Sequence, residues 1–323
     1  MKVIITGASG YIGARLCLFL AQIGHEVIGV FSKNIPQKEG WTELLYHSII
    51  GDIREEKTIN LISEVHADAI IHLVSLDHND SEKEPNLVLD VNVKPTWNLL
   101  NSCTKNGLKK FIYFSTIHIY GKKQKGFIDE TQKKTPFNAY GLTHALSEEV
   151  VSYYNRKTDT SCINIRLSNS YGEPVFYDAK CWSLIVNDLT RSAFLEKKIV
   201  LNGDGKAMRD FIHFSDICIG ISGLLESEES PKKSTFHFSS ATSISMLDVA
   251  VEVQKEYKNI YGLEIPIFIN KVEEYKSEIK NDEKSSNVIS NSLAESYGIS
   301  FLKGLNFGIN DLFNYLEKEN AKN

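Results

Sequence analysis

The chain has 323 residues, 42% of them apolar and 24% charged, the profile of a globular protein with one large core and room for a smaller lobe. Its 36 lysines and arginines stand against 41 acids, a formal charge of −5, and they are interspersed, with only short clusters such as Lys122, Lys123 and Lys125, which excludes a nucleic-acid binder. No run approaches the roughly eighteen apolar residues of a membrane span, no secretory h-region opens the chain, and the five dispersed cysteines form no CxxC pair, so we expect a cytoplasmic protein with reduced thiols, no metal site and no membrane partner.

In chain order the first half alternates short β-branched runs with helical patterns. Strands are expected at 3–6, 26–31, 48–50, 69–73, 110–115 and 162–167, and helices over 11–23, 55–65, 86–103 and 138–155. Strands separated by helices imply an α/β fold with a parallel, doubly wound Rossmann-type sheet. After Tyr171 the rhythm changes: a helix over 182–195, strands at 199–201 and 209–213, a helix over 215–226 and a later helix opened by Ser245. We therefore expect a dinucleotide-binding domain over 1–170 and a smaller C-terminal substrate lobe over 171–323, with segments around 205–226 returning to the first domain. The stretch 271–286, dense in Lys, Glu and Asp, reads as an exposed connection.

Directly after the first strand comes Thr6-Gly7-Ala8-Ser9-Gly10-Tyr11-Ile12-Gly13, with glycines at 7, 10 and 13 where a helix opens. A pyrophosphate approaches a helix N-terminus closely only where the turn carries no side chains, and is then held by free N–H groups and the helix dipole. At the end of the second strand, where NAD sites place an acid for the adenosine ribose, the chain has Phe31-Ser32-Lys33. A lysine attracts a 2′-phosphate and no carboxylate repels it, so NADP(H) is favoured and NAD(H) is the alternative. Asp52, in Gly51-Asp52-Ile53-Arg54, is placed to touch the adenine edge.

These segments, with Ile71-His72-Leu73-Val74-Ser75, Asn92, Ser115-Thr116-Ile117-His118, Tyr140-Gly141-Leu142-Thr143, Arg166–Gly172 and Arg209-Asp210-Phe211-Ile212-His213, resemble the extended short-chain dehydrogenase/reductases, the NAD-dependent epimerase/dehydratase family, from residue 1 to about 310. The resemblance implies a cofactor contacted by Gly7, Ser9, Gly10, Tyr11, Ile12, Gly13, Asp52, Ile53, Leu73, Val74, Ser75, Asn92, Tyr140 and residue 144, and a nucleotide-diphosphate sugar as substrate. It implies Tyr140 as general acid or base on a sugar oxygen that Thr116 also holds, and Arg209 with Asn169 at the diphosphate rim. A homodimer through the helices around 86–103 and 138–155 is also implied.

One position departs from the family. Its lysine four residues after the tyrosine, which makes the phenol more acidic, is His144 here. Histidine can still donate to the nicotinamide ribose but gives weaker electrostatic help. His118, two residues after Thr116, is the candidate replacement acid/base, on the expectation that strand alternation points both to one face. The Asp-Glu pair of the family's dehydratases is Ile117-His118 here, which argues against 4,6-dehydration. A 4-keto-sugar reductase is ranked first because a reductase needs Tyr140 only as an acid; the alternatives are a 4-epimerase with tightly bound NAD and a catalytically inactive dinucleotide-binding protein.

Overall fold

The computed structural model describes residues 1–122, 126–227, 234–270, 273–274 and 287–321. The first half builds β1 (Lys2–Thr6), α1 (Tyr11–Gln22), β2 (Glu26–Phe31), β3 (His47–Ile50), β4 (Ala69–His72) and β5 (Lys110–Thr116). Together with Ser161–Leu167 and Thr235–Phe238 they form a seven-stranded sheet, all parallel, ordered Thr235–Phe238, Ser161–Leu167, β5, β4, β1, β2, β3. Parallel strands are covered on both faces, and alternate side chains feed two cores. Val3, Ile5, Ile112 and Phe114 pack on the face that carries α1 and the helix Phe214–Glu226, whereas Ile4, Phe111 and Tyr113 pack under the opposite helices. The chain winds outward from β1 in both directions, so the crevice at the carboxyl ends of β1 and β4 is the switch point where such sheets bind ligands.

Several expectations shift. The long helix expected over 86–103 is two, Pro85–Asn92 and Lys94–Cys103, with a break at Val93 just before Pro95, a residue that cannot donate an N–H and crowds the turn ahead of it. The strand Thr235–Phe238, not read from sequence, pairs with Ser161–Leu167 and extends the central sheet from within the stretch expected to be mainly lobe. The strand Met208–His213 pairs instead with Asn169–Tyr171 and Ser243–Ser245; it is the following helix that returns to pack against α1. The lobe has its own core, in which Val186, Leu189, Val253, Tyr257, Leu312 and Phe313 join the helices Ile185–Glu196, Met246–Tyr261 and Leu305–Asn320. Apart from the backbone of a two-residue strand at Glu273–Glu274, the expected connection over 271–286 lies outside the described residues. Among the described residues, no helix is long and apolar enough to cross a membrane, and the five cysteines are free and buried.

Candidate active site

The glycine turn is built for close approach. Gly7 sits at φ +73°, and a Cβ on Gly13 would lie 2.1 Å from the Gly7 carbonyl oxygen, so α1 presses on the turn as only glycine allows. Gly10 caps α1 with no side-chain bond, and no acid occupies the first helical turn, which leaves its N–H groups and dipole for an anion. Ser9 is exposed at the rim. Thr6 Oγ1 lies 2.7 Å from His72 Nδ1 and accepts from Leu73 N, while Asn92 accepts from Leu76 N at 2.7 Å and donates to Thr143. Leu73, Val74 and Ser75 are thereby pinned beside the turn. Two buried ring nitrogens here, His72 Nε2 and His144 Nε2, have no protein partner. This cradle fits a dinucleotide.

Not every expected cofactor residue presents its side chain to it. Tyr11 turns away: its hydroxyl donates to Gly172 O at 2.7 Å and accepts from Asn187, and its ring meets Phe214, so only its main chain faces the turn. Asn92 is buried with its amide engaged by protein, and acts as a brace. The Ile12 side chain packs on the core beneath α1, Ile53 is buried in the core on the opposite face of the sheet, and Ser32 and Lys33 are exposed beyond the buried Phe31. Arg54 binds the Asp52 carboxylate at 2.9 Å and holds it below the usual carboxylate range.

Tyr140 opens the helix Ala139–Lys157, whose N-cap Asn138 accepts from Gly141 N at 2.8 Å. Burial pushes the phenol up to about 12; the Thr116 hydroxyl pulls it down and the Asp77 carboxylate pushes it up. One turn on, His144 stands edge-on to Tyr140, ring centroids 4.5 Å apart. Its Nδ1 lies 2.8 Å from the Tyr113 hydroxyl. Burial lowers its pKa to about 4, Glu148 countering, so the ring is neutral near pH 7 and supplies no positive charge to the phenol.

His118 reaches the site by a route other than the expected one. β5 ends at Thr116, whose hydroxyl caps a 3₁₀ turn over Ile117–Tyr120 by accepting from His118 N at 3.2 Å, so alternation does not govern residue 118. Its ring stacks near-parallel on His78 at 6.4 Å, and both stand edge-on to Tyr140, at 5.9 and 6.4 Å. Burial, His78 and Arg209 together lower the His118 pKa. The two histidines line a cleft of about 490 Å³ with Lys122, Asn138, Asn169 and Arg209. Thr116 and Tyr140 are not on its wall; the phenol lies behind the histidine pair. Arg209 is exposed, donates to Met208 O at 2.9 Å, and makes no ion pair with Asp210, which is buried and held by Ser168, Ser240 and Thr242. Asn169 Nδ2 donates to Asp210 O.

Sequence reasoning missed four participants. His78 sits on a short helix, His78–Lys83, for which no sequence pattern was read. Tyr113 and Ser115 are polar residues on the β5 face turned to the Tyr140 helix, a signal that alternation did contain. Glu148, one turn beyond His144, is fully buried, accepting from Ser115 at 2.6 Å and from Arg166 at 3.0 and 2.8 Å. Burial works to raise its pKa, but Arg166, Ser115 and Lys134 hold it below the usual range. Elsewhere, Glu173, His213 and Asp311 bring ligand-type atoms within 4.8 Å of one another. Arg15 pairs with Glu173, and His213 Nδ1 accepts from Ser215 N, which places a neutral ring's proton on Nε2 and removes the lone pair a metal would need there.

Comparison with known proteins agrees with this architecture. The dTDP-glucose 4,6-dehydratase of Streptomyces antibioticus is 28% identical over 265 residues, 77% of this chain and 75% of its own. A UDP-glucose 4-epimerase of Rhizobium meliloti is 26% identical over 80% of this chain and 84% of its own. Among solved structures, the UDP-glucose 4-epimerase of Thermotoga maritima with UDP-glucose superposes with a TM-score of 0.81 at 21% identity, covering 99% of each chain. The UDP-glucuronic acid 4-epimerase of Bacillus cereus in complex with NAD gives 0.78 at 21%, with the same coverage. The pattern of the NAD dependent epimerase/dehydratase family matches residues 3–237, and the chain belongs to that family.

Proposed function

We propose that this protein is a nucleoside-diphosphate-sugar 4-epimerase. The observation that carries the reading is the junction of two sites: the glycine cradle at the ends of β1 and β4, and a phenol with a partner hydroxyl, Tyr140 and Thr116, set behind the histidine wall of a cleft bordered by Arg209. Bound NAD would supply the hydride acceptor and donor. Tyr140 takes the proton from the sugar O4 and later returns it, with Thr116 holding the same oxygen. Arg209 suits the diphosphate, because a planar guanidinium makes paired bonds to phosphate oxygens. Epimerases among the relatives support this over the reductase ranked first by sequence, and Ile117-His118 in place of two carboxylates weighs against dehydration.

One observation favours a ketoreductase as second reading. With the phenol raised to about 12 and His144 lowered to about 4, Tyr140 is a better acid than base. The exposed Ser32 and Lys33 would then meet the 2′-phosphate of NADP(H). Denaturing the purified protein and identifying the released dinucleotide by mass spectrometry separates the two. Retained NAD⁺ supports the epimerase; an empty site that binds NADPH in preference to NADH overturns it in favour of the reductase.

We also propose a homodimer. Leu89, Trp97, Leu142, Leu146 and Tyr153 are each 37–50% exposed on Pro85–Asn92, Lys94–Cys103 and Ala139–Lys157, with Trp97 stacked on Tyr153. Exposed apolar side chains gathered on three helices that pack together are costly to leave in water.

A further inference from the structure

We propose that the cleft selects a sugar bearing a carboxylate on the carbon next to the reacting one, a nucleoside-diphosphate uronic acid rather than a neutral hexose, with His78 and His118 as the specificity-determining residues. The inference rests on the nucleotide-sugar reading above and goes beyond it by naming the substrate class.

The hydrogen-bonding character of the wall carries the argument. Asn138 Oδ1 accepts from Gly141 N, which fixes the amide so that its Nδ2 is the donor to His78 Nδ1 at 3.1 Å. An accepting Nδ1 leaves the neutral ring's proton on Nε2, so His78 keeps a donor beyond its bond to Asn138. His118 stacks on it, and the two rings form the cleft wall nearest Tyr140. Whatever substituent flanks the hydroxyl that Tyr140 handles meets these rings. Around them the wall adds Lys122, lying over the Phe137 ring, and Arg209.

Two acceptors of the cleft, Ser243 Oγ and Asn287 Oδ1, have no protein partner, and they lie beside the strand of Arg209; those near the histidines are engaged. Among the described residues near this end, Asp77 caps its own helix by accepting from Asp80 N and lies 4.0 Å from Lys180. Glu82 accepts from Ala139 N at 2.7 Å, and Asp210 is held by Ser168, Ser240 and Thr242. Binding a neutral sugar's hydroxyls calls for acceptors as well as donors; the histidine end, with its free donor and Lys122, suits an anion. The diphosphate accounts for Arg209 at the rim, but not for two histidines beside Tyr140. His118 is held toward its neutral form by burial, His78 and Arg209, so an arriving carboxylate would draw a proton onto it. Binding is then tighter at lower pH.

The test measures binding of UDP-glucuronate and UDP-glucose to the NAD-loaded full chain by calorimetry between pH 6 and 8.5, in wild type, His78→Phe, His118→Phe and the double variant. Phenylalanine keeps the ring stack and removes the donors, and circular dichroism with a dinucleotide titration verifies the fold. At pH 6.5 the uronate is expected to bind about tenfold more tightly than the hexose, one charged hydrogen bond's worth. That margin should shrink as pH rises and vanish in the double variant. Equal binding of both sugars by wild type, or a margin that survives the double substitution, overturns the assignment while leaving the nucleotide-sugar reading in place. Failure to bind either sugar overturns both.

Discussion

Alanine substitution at the three glycines of the cradle should have graded effects that the structure ranks in advance. At Gly13 the new Cβ would stand 2.1 Å from Gly7 O, 2.9 Å from Gly7 C and 3.2 Å from Ala8 Cα, all backbone. Ordinary C···O contacts begin near 3.3 Å, so α1 and the turn must separate by about 1 Å. Overpacking of this kind costs about 1–3 kcal/mol of stability. The same displacement pulls the helix N–H groups off the pyrophosphate; losing one charge-assisted bond, about 1.5–3 kcal/mol, weakens dinucleotide binding by roughly 10- to 100-fold. Gly7→Ala meets only ordinary contacts at 3.5–3.6 Å, but φ +73° strains it by about 1–2 kcal/mol. Gly10→Ala, with φ −71° and a single contact at 3.1 Å, should do least. Titration of intrinsic fluorescence with NADH, paired with thermal melts, gives the order Gly13, Gly7, Gly10. Wild-type NADH affinity and melting temperature in Gly13→Ala would refute the argument that this turn holds the cofactor.

Three further outcomes follow from the site and the surface. His144→Lys puts a charge beside a phenol raised to about 12, so the pH at which sugar oxidation reaches its plateau should fall; an unchanged pH–rate profile would mean residue 144 does not act on Tyr140. Glu148→Gln leaves the Arg166 charge buried without its carboxylate and should cost about 3–5 kcal/mol by chemical denaturation. Because the folded-state pKa of Glu148 is depressed, its contribution is present above the usual carboxylate range and lost as pH falls through the folded value, so the variant should lose less further stability on acidification than wild type. Leu146→Arg, on the exposed face of the Tyr140 helix, should convert the proposed dimer to a monomer in light scattering; a wild type that is already monomeric contradicts the interface.

Much of the fold was legible because its signals are local. The runs 3–6, 26–31 and 69–73 with helical segments between them identify a parallel sheet, and the turn Thr6–Gly13 identifies its switch point. What could not be read depends on distant partners. The strand Thr235–Phe238 carries nothing that assigns it to the central sheet; its partner lies about seventy residues earlier. His78 and His118 are forty residues apart and meet only because a short helix and a 3₁₀ turn converge on Tyr140. His118 stands beside Tyr140 by way of a 3₁₀ turn and not by strand alternation, since Thr116 ends the strand by capping the next turn. The exchange of lysine for histidine at 144 was visible at once, but not its consequence: Tyr113 and the surrounding burial make the ring a neutral neighbour of the phenol.

The central claim is tested most directly by giving the NAD-loaded protein a nucleotide sugar deuterated at C4 and following C4 by NMR. The account expects the C4 epimer to appear with deuterium retained at that carbon, because the hydride leaves and returns within one active site. Absence of an epimer, or exchange of the label into free dinucleotide with net oxidation or reduction of the sugar, would contradict it.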